Sequence, residues 1–455
     1  MHKPFAIVLN SRTSLQNKTG TWRTNRPEYL HRLPPCNVTC PAGENIQQWL
    51  SLAQEGLIYE AWQEIVKNNP FPAIMGRACY HTCEKVCNRG QYDGSVNINL
   101  IERFIGDTAI SRGWSFTAPE KEIDKTILVI GAGPSGLSVS YFLRKMGYKV
   151  VIYDAHKNPG GMMRYGVPRF RLPRNIIDAE IKRITDMGVK IVSNKRVESL
   201  QDELDNFDAI YLATGASLAS KTDIDITDDA NTMDAIDFLR RVEDDPKSLP
   251  ALGRSVVIYG GGNTAIDAAR TALRMDGVKE VKIIYRRALS NMPAHDSEIQ
   301  DALEEGIEVL CLRTISHIGR NKVVCDMMNY DEDAGTLSKT GESGIIYADS
   351  VIFAIGQSIE ESIVKSVEDI VISEKGSIEV DKQMMTAHRG IFAGGDVIFG
   401  TRTVTNAIGA GKKAAKCIDA YLNGSTYEAK PKHEVASFKK LNTEYYERSV
   451  RKDVK

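Results

Sequence analysis

The stretch ACYHTCEKVCNRG sets Cys79, Cys83 and Cys87 four residues apart, and Cys36 and Cys40 stand upstream in PPCNVTCPAG. Five of the eight cysteines therefore crowd into the first fifth of the chain. Thiols so placed read as metal ligands, because a thiolate binds iron or zinc and a reducing compartment leaves it free to do so. Cys311, Cys325 and Cys417 are scattered singly and read as small buried hydrophobes. On one continuous helix, Cys79 and Cys87 would lie about 12 Å apart along the axis, too far to sit easily on one cubane. The row must bend or serve two places. A structural zinc site that fixes helices is the plain alternative, and the brown colour of iron-thiolate would exclude it.

Glycines mark a second chemistry. In ILVIGAGPSGLSVS, Gly131, Gly133 and Gly136 follow an apolar strand and open a helix through Pro134 and Ser135. The first glycine permits the turn, the second lets backbone approach a pyrophosphate, and the third lets helix pack closely on strand. The next strand, KVVIYD, ends in Asp154, where an acid can take the ribose hydroxyls of an adenosine. A second unit, VIYGGGNTAIDAA, carries Gly261, Gly262, Asn263 and Thr264, and its following strand ends in Arg286 and Arg287. Guanidinium groups in place of the acid suit a ribose 2′-phosphate, which favours NADP(H) over NAD(H). The alternative is a solvated basic pair. Late in the chain, GIFAGGDVIFGTRTVTNAIGAG places Gly395 and Asp396 at a strand end and Thr405 at the start of a helix. Such an aspartate can accept from a flavin ribityl hydroxyl while the helix N-terminus faces the flavin's oxygen-bearing edge.

The elements that must position these residues fall into regions of different texture. At 455 residues the chain is long enough for two or three domains, each with its own core. Apolar residues in IQQWLSLAQEGLIYEAWQEIV recur at helical spacing, with Gly56 expected to break the run in two, and VNINLIERFIGDTAI supplies another amphipathic helix. From Lys125 onward, short β-rich runs alternate with glycine turns and helices, so two strand-turn-helix-strand units share one chain. The strand-to-glycine crossings YLATGA and IFAIGQS suggest that one nucleotide domain is inserted in the other. The expected division is a helical, cysteine-rich domain with an N-terminal extension over 1–115, a flavin-nucleotide domain over 116–225 and 386–425, a nicotinamide-nucleotide domain over 226–385, and a tail over 426–455. That tail, charged and without motif, is expected to be an extended surface segment.

The 58 basic and 59 acidic residues nearly cancel, which argues against nucleic acid or an anionic membrane as the main partner. The N-terminus lacks the apolar core and cleavage site of a secretory signal, and no run approaches the roughly 20 apolar residues that span a bilayer. A cytoplasmic location is expected.

In order along the chain, CPAGENIQQWL, MGRACYHTCEKVCNRG, IERF, GAGPSGL, GGMMRYGVPRFRLP, GGGNTAID, YRR, MPA and AGGD resemble the glutamate synthase small-subunit family, over roughly residues 30–425. The family includes the N-terminal half of dihydropyrimidine dehydrogenase and the large subunit of NADH-dependent ferredoxin:NADP oxidoreductase. The opening RTSLQNKTGTWRTNRPEYLHRLPPC looks most like the iron-sulfur flavoprotein that serves dissimilatory sulfite reductase, although that relative's C-terminal ferredoxin module has no counterpart in this sequence. The resemblance implies a multidomain fold: a helical iron-sulfur domain, then two Rossmann-like α/β domains, one inserted in the other. It implies FAD on the Gly131 unit, with Gly161, Met162, Gly166 and Val167 laid against the isoalloxazine, and NADP(H) or NAD(H) on the Gly261 unit. It also implies one or two 4Fe-4S clusters. Cys40, Cys79 and Cys83 match three ligands of one cluster and Glu102 the fourth, while Cys36 and Cys87 match half the ligands of a second. The C-x-x-C pair that completes the second in relatives is missing. A competing assignment takes four of the five cysteines and leaves Glu102 as a helix-surface acid.

The activity so implied is NAD(P)H oxidation with electrons passing through flavin and iron-sulfur centres to or from a redox protein partner, such as a ferredoxin or a larger catalytic subunit, with no protein acid or base required. The assembly is open to hetero- or homo-oligomers. A self-contained reductase of a small substrate is a second class, but it needs a redox cysteine pair near the flavin and that region has none. A non-catalytic assembly subunit is a third. Two neighbours stay open: His81 reads as a hydrogen-bonding neighbour more than a ligand, and Met292 and Glu298 either close over the nicotinamide or belong to an ordinary loop and helix start.

Overall fold

Gly56 adopts φ +79°, a left-handed turn that separates two helices, α2 (Ile46–Gln54) and α3 (Ile58–Val66), from what would otherwise be one run. The computed structural model describes residues 32–216, 218–219, 222–429 and 433–452. The sulfite-reductase-like opening lies almost wholly outside these residues. They form two compact units, one of the described residues up to 114 with those from 427 onward and one of those between 115 and 426.

The first unit is helical. A short α1 (Pro35–Thr39) precedes α2 and α3, and α4 (Pro72–Ala78), α5 (Thr82–Lys85) and α6 (Ile98–Ser111) follow. Trp49, Trp62, Ile65, Phe71 and Ile74 are fully enclosed and make its core. Helices α4 and α6 touch backbone to backbone. A Cβ on Gly106 would lie 2.3 Å from the Ala73 nitrogen, and one on Gly76 would lie 2.3 Å from Arg103 Cβ. Arg77 then clasps Asp107 across the pair with two bonds of 2.7 and 2.9 Å.

The charged tail is part of this unit and does not stand apart as an extended surface segment. Glu434–Val435 pairs in parallel with Arg32–Leu33, and Arg32 bridges to Glu434 at 2.9 Å. Asn88 and Asn97 donate to the carbonyls of Ala436 and Lys452, each at 2.7 Å. Arg451 reaches Glu84 at 3.2 Å, and that carboxylate also accepts from the backbone N–H of Asn99 at the start of α6. The tail thus braces the segment that carries Cys83 and Cys87.

The second unit holds two parallel sheets. In the first, the strands run 391–393, 209–212, 123–130, 148–153 and 190–192 across the sheet. Helices α7 (Pro134–Met146), α8 (Met162–Tyr165) and α9 (Arg174–Asp186) belong to this flavin half, as does the last helix of the chain. In the second sheet the order is 308–310, 280–284, 255–259, 350–353 and 232–234, with α10 (Ala235–Asp244), α11 (Asn263–Ala272) and α12 (Asp296–Glu304). A four-stranded sheet, mainly antiparallel, of 336–347, 322–331, 313–319 and 225–226 packs beside it through Ile315, Ile318 and Val323. The chain then returns to the flavin half and ends it with α13 (Val404–Leu422).

Insertion of the nucleotide half in the flavin half is thus visible in the strand orders. The return comes earlier than the sequence suggests: Ile359, Ile363, Val364, Val367, Ile370 and Ile378 pack with Leu128, Leu212 and Ile391 in the flavin-side core. Their short apolar spacing carries no sign of which sheet they serve.

Replacing Gly106 with alanine should force α4 and α6 apart at a cost of about 1–3 kcal/mol. Thermal unfolding should shift down and iron content should fall while flavin content holds. Unchanged iron and melting would mean that the helices can slide to accommodate the methyl group.

Candidate dinucleotide and iron-sulfur sites

The cysteine row is not one helix. Helix α4 stops at Ala78, Cys79 is extended, His81 turns left-handed at φ +52°, and only Thr82–Lys85 is helical before Cys87 becomes extended again. His81 thus turns the chain between ligand candidates. The breaks sort the thiols into two groups. Cys40 and Cys83 are held well above the usual thiol range, first by burial and then by the negative charges around them; Glu102 and Cys79 act on both, and Cys83 also feels Cys40. Cys36, pushed up to about 11 mainly by burial, feels Cys87 instead.

Glu102 is only 6% exposed, which removes it from the class of helix-surface acids. The Asn69 amide donates to it at 2.9 Å and to Glu44 at 2.9 Å, and the Trp49 indole donates to Glu44 at 3.1 Å. Two buried carboxylates therefore share one amide beside Cys40. Nothing in the sequence singled out Glu44 or Asn69, because a lone Asn or Glu in a helical region carries no spacing signal. Three thiols and a carboxylate are a donor set that suits iron-sulfur ligation. Among the described residues, no three His, Cys, Asp or Glu side chains are drawn together tightly enough for a single ion. A cubane takes its ligands at separate corners and needs them farther apart.

In the flavin half, the three glycine turns converge. Gly131, at φ +106°, hydrogen-bonds to the Tyr153 carbonyl at 2.8 Å, and a Cβ on Gly136 would strike the Gly131 oxygen at 1.9 Å. Gly161 comes so near Gly133 that a Cβ would sit 2.7 Å from its Cα. A Cβ on Gly395 would meet that of Ser135 at 2.8 Å, and the Ser135 hydroxyl is bonded to Tyr211 at 2.7 Å. Helix α7, with Pro134 at its first position, starts from Gly133 with no side-chain cap, so its first N–H groups are left for an anion. Asp154 is buried and accepts from the backbone of Ala132 at 2.6 Å and of His156 at 2.8 Å, so it orders the turn. Met162 O holds the N–H groups of Gly166 and Val167, each at 3.0 Å. Burial lifts the Asp396 carboxyl above its ordinary value, against the pull of Arg402, and Thr405 is buried in the first turn of α13. This bare backbone cradle, with uncapped amides, fits a flavin dinucleotide.

The second cradle repeats the plan. Gly262 starts α11 without a side-chain cap, and Gly261 lies against the Tyr285 ring. Asn263 accepts from the His295 N–H at 2.9 Å and Gly261 from that of Ala294 at 3.2 Å, so MPAH closes directly over the turn. The Thr264 hydroxyl meets the Gln357 amide at 3.5 Å. Met292 is buried in the core, and Glu298 pairs with Arg171 and Arg270. Arg286 is exposed, whereas Arg287 lies 5.9 Å from the Tyr330 ring with its Nε unbonded. Neither forms an ion pair among the described residues, which leaves both guanidinium groups for an anion.

Residues 125–411 match the family model described as pyridine nucleotide-disulphide oxidoreductase, and residues 29–114 match dihydropyrimidine dehydrogenase domain II, 4Fe-4S cluster. The chain is 34% identical to the glutamate synthase [NADPH] small chain of Azospirillum brasilense, covering 86% of each. It belongs to the glutamate synthase small-chain family of iron-sulfur flavoproteins. It is also 35% identical to the NADP(+)-dependent formate dehydrogenase subunit beta of Moorella thermoacetica, over 86% of this chain and 60% of that one. The chain thus spans about three fifths of the latter. Among solved structures, FprA of Mycobacterium tuberculosis in complex with NADPH aligns with a TM-score of 0.58 at 16% identity, over 66% of this chain and 85% of that one. Thioredoxin reductase of Lactococcus lactis aligns at 0.52 and 20% identity, over 66% and 100%. These two share the fold of the second unit. The family chemistry is that of an NAD(P)H-dependent oxidoreductase with FAD and a 4Fe-4S cluster. No described helix is long and apolar enough to cross a membrane.

Proposed function

We propose that this chain is the NADPH-oxidising subunit of a larger redox assembly, handing electrons to or taking them from an iron-sulfur or other redox protein. The observation that carries this reading is the pairing of two dinucleotide cradles with a thiol-rich helical unit, in a chain whose flavin half has no cysteine pair. Cys417, alone on α13, is the one cysteine of that half, and it is buried. Disulfide chemistry beside the flavin therefore has no residues to perform it, and electrons need another exit. Relatives named as subunits or small chains support a partner. When bound, FAD accepts a hydride and releases single electrons, and a 4Fe-4S cluster carries those singly.

The chain's own residues divide the work. The α7 and α11 N-termini hold pyrophosphates, Asp154 and Thr405 orient the flavin nucleotide, and Asp396 takes a ribityl hydroxyl. Gly161, Met162, Gly166 and Val167 lie against the flavin ring. Arg286 and Arg287 take the 2′-phosphate. Cys40, Cys79, Cys83 and Glu102 bind one cluster, and the Asn69 amide keeps the Glu102 carboxylate oriented. Cys36 and Cys87 form a separate pair.

Protein purified without oxygen should contain about four irons and four sulfides per FAD for a single cluster, or about eight if Cys36 and Cys87 recruit further ligands. It should also reduce a viologen with NADPH; iron-replete, flavin-replete protein without that activity refutes the reading. Changing Glu102 to alanine should alter the cluster's spectrum or potential, and an unaltered spectrum removes it as a ligand. Replacing Arg286 and Arg287 with alanine should raise the KM for NADPH about tenfold to a hundredfold, the weight of a lost charge-assisted bond of roughly 1.5–3 kcal/mol. The KM for NADH should hardly move; equal losses would refute the phosphate role.

A further inference from the structure

One short segment, PRFRLPR at 168–174, follows the flavin-facing loop directly, and four of its seven side chains reach into the inserted nucleotide half. Arg169 pairs with Glu243 of α10 at 2.7 Å and also donates to the Glu243 carbonyl at 3.2 Å. Arg174 meets the same carboxylate at 2.9 Å, while its other nitrogens donate to the carbonyls of Val167 and Leu172, each at 2.9 Å. Arg171 places one nitrogen 2.5 Å from Asp267 of α11 and the other on Glu298 of α12. Phe170 lies under the guanidinium of Arg274, 4.1 Å from its ring centre, with Arg270 at 5.2 Å. Three separate helices of one half are thus gripped by consecutive residues of the other.

The Arg171 and Arg174 pairs are enclosed, whereas the Arg169 side chain is 63% exposed. The side chains of Arg171, Asp267 and Glu243 are 11%, 7% and 7% exposed, so each depends on its partner in a way that a solvated surface pair does not. Burial pushes the Asp267 carboxyl up to about 6 even with Arg171 beside it. The halves are joined covalently by two crossings that lie side by side, where Leu218–Ala219 pairs with Gln357–Ser358. Two adjacent crossings define a hinge; a third attachment away from them fixes its angle. The ion pairs of Arg169, Arg171 and Arg174, with Phe170 stacked on Arg274, supply such an attachment.

We propose that Arg169, Arg171 and Arg174 are positioning residues that clip the nucleotide half to the flavin-facing loop and so set the approach of the nicotinamide to the flavin. This rests on the assignment of the two cradles given above. Hydride transfer is acutely sensitive to distance, and Arg174, hydrogen-bonded to that loop and ion-paired with Glu243 of α10, converts a movement of the nucleotide half into a movement at the flavin face. Arginine suits the role of Arg171 because its planar fork presents separate nitrogens to two carboxylates on two helices, a spread that the single ammonium of lysine does not reproduce.

The test uses the FAD-loaded, full-length protein, with Arg171→Met, Arg171→Lys and Glu243→Gln variants. The first readout needs no turnover: hydrogen exchange should quicken in 168–174 and at the facing turns of α10, α11 and α12, while the sheet cores at 127–130 and 256–258 stay protected. The second is the limiting rate of flavin bleaching at saturating NADPH, expected to fall about tenfold or more in Arg171→Met and less in Arg171→Lys, with NADP+ affinity within about twofold of wild type. Glu243→Gln tests the other end of the clip without altering Arg171. Wild-type exchange and wild-type limiting rates in Arg171→Met and Glu243→Gln overturn the clip. Weakened NADP+ binding with an unchanged limiting rate overturns the positioning role. Wild-type protein that NADPH fails to bleach would instead overturn the cradle assignment on which the inference rests.

Discussion

Close approach of backbone to backbone, possible only where a Cβ is missing, is the constraint on which both units depend. In the helical unit it acts between α4 and α6, where Gly76 and Gly106 each face the other helix's main chain. Cys79 caps α4 and Glu102 lies on α6, so that contact sets the spacing between a thiol and a carboxylate. In the flavin half it acts at Gly131, Gly136 and Gly161, and again at Gly411, where a Cβ would lie 2.5 Å from the Ser135 carbonyl. Here the turn of one motif, the loop of another and the last helix are stacked with nothing between them. Side chains would fill the space a dinucleotide needs.

Around these contacts several buried charges share partners. Asn69 serves Glu44 and Glu102, Arg171 serves Asp267 and Glu298, and Glu243 serves Arg169 and Arg174. A buried charge with one partner is expensive, and shared partners satisfy more of its hydrogen-bonding capacity. In the helical unit the excess is negative, with Glu44 and Glu102 beside the thiols. Net negative charge near an iron-sulfur centre disfavours adding an electron, so these acids also bear on the potential at which such a centre works.

Much of this was legible from the chain alone, and the reason is locality. Glycine turns, the acid or arginines one strand later, and the break at Gly56 are written within a few residues of where they act. The grouping of Cys40, Cys79, Cys83 and Glu102 apart from Cys36 and Cys87 came from resemblance, because ligands drawn from separate helices leave no single spacing to read. What could not be read is non-local. No glycine or proline announces the turn at His81, because a left-handed histidine is held by its surroundings and not by its own preference. The apolar run at 359–378 looks equally suited to either sheet, and Asn69 gains meaning only when two distant acids meet across it. The arginines of 169–174 read as part of a family signature, while their partners lie 70 to 130 residues away in sequence.

The pairing of Arg32–Leu33 with Glu434–Val435 joins the two most distant parts of the described chain. During synthesis the cysteine-bearing helices emerge early, yet the strand, the Ala436 carbonyl and the Arg451 guanidinium that brace them appear only after the whole of the second unit has been made. Contacts of such long sequence separation form late. The thiol-rich lobe therefore emerges, still tethered, several hundred residues ahead of the strand that completes it. Over that interval the segment with Cys83 and Cys87 stands without the tail contacts that brace it.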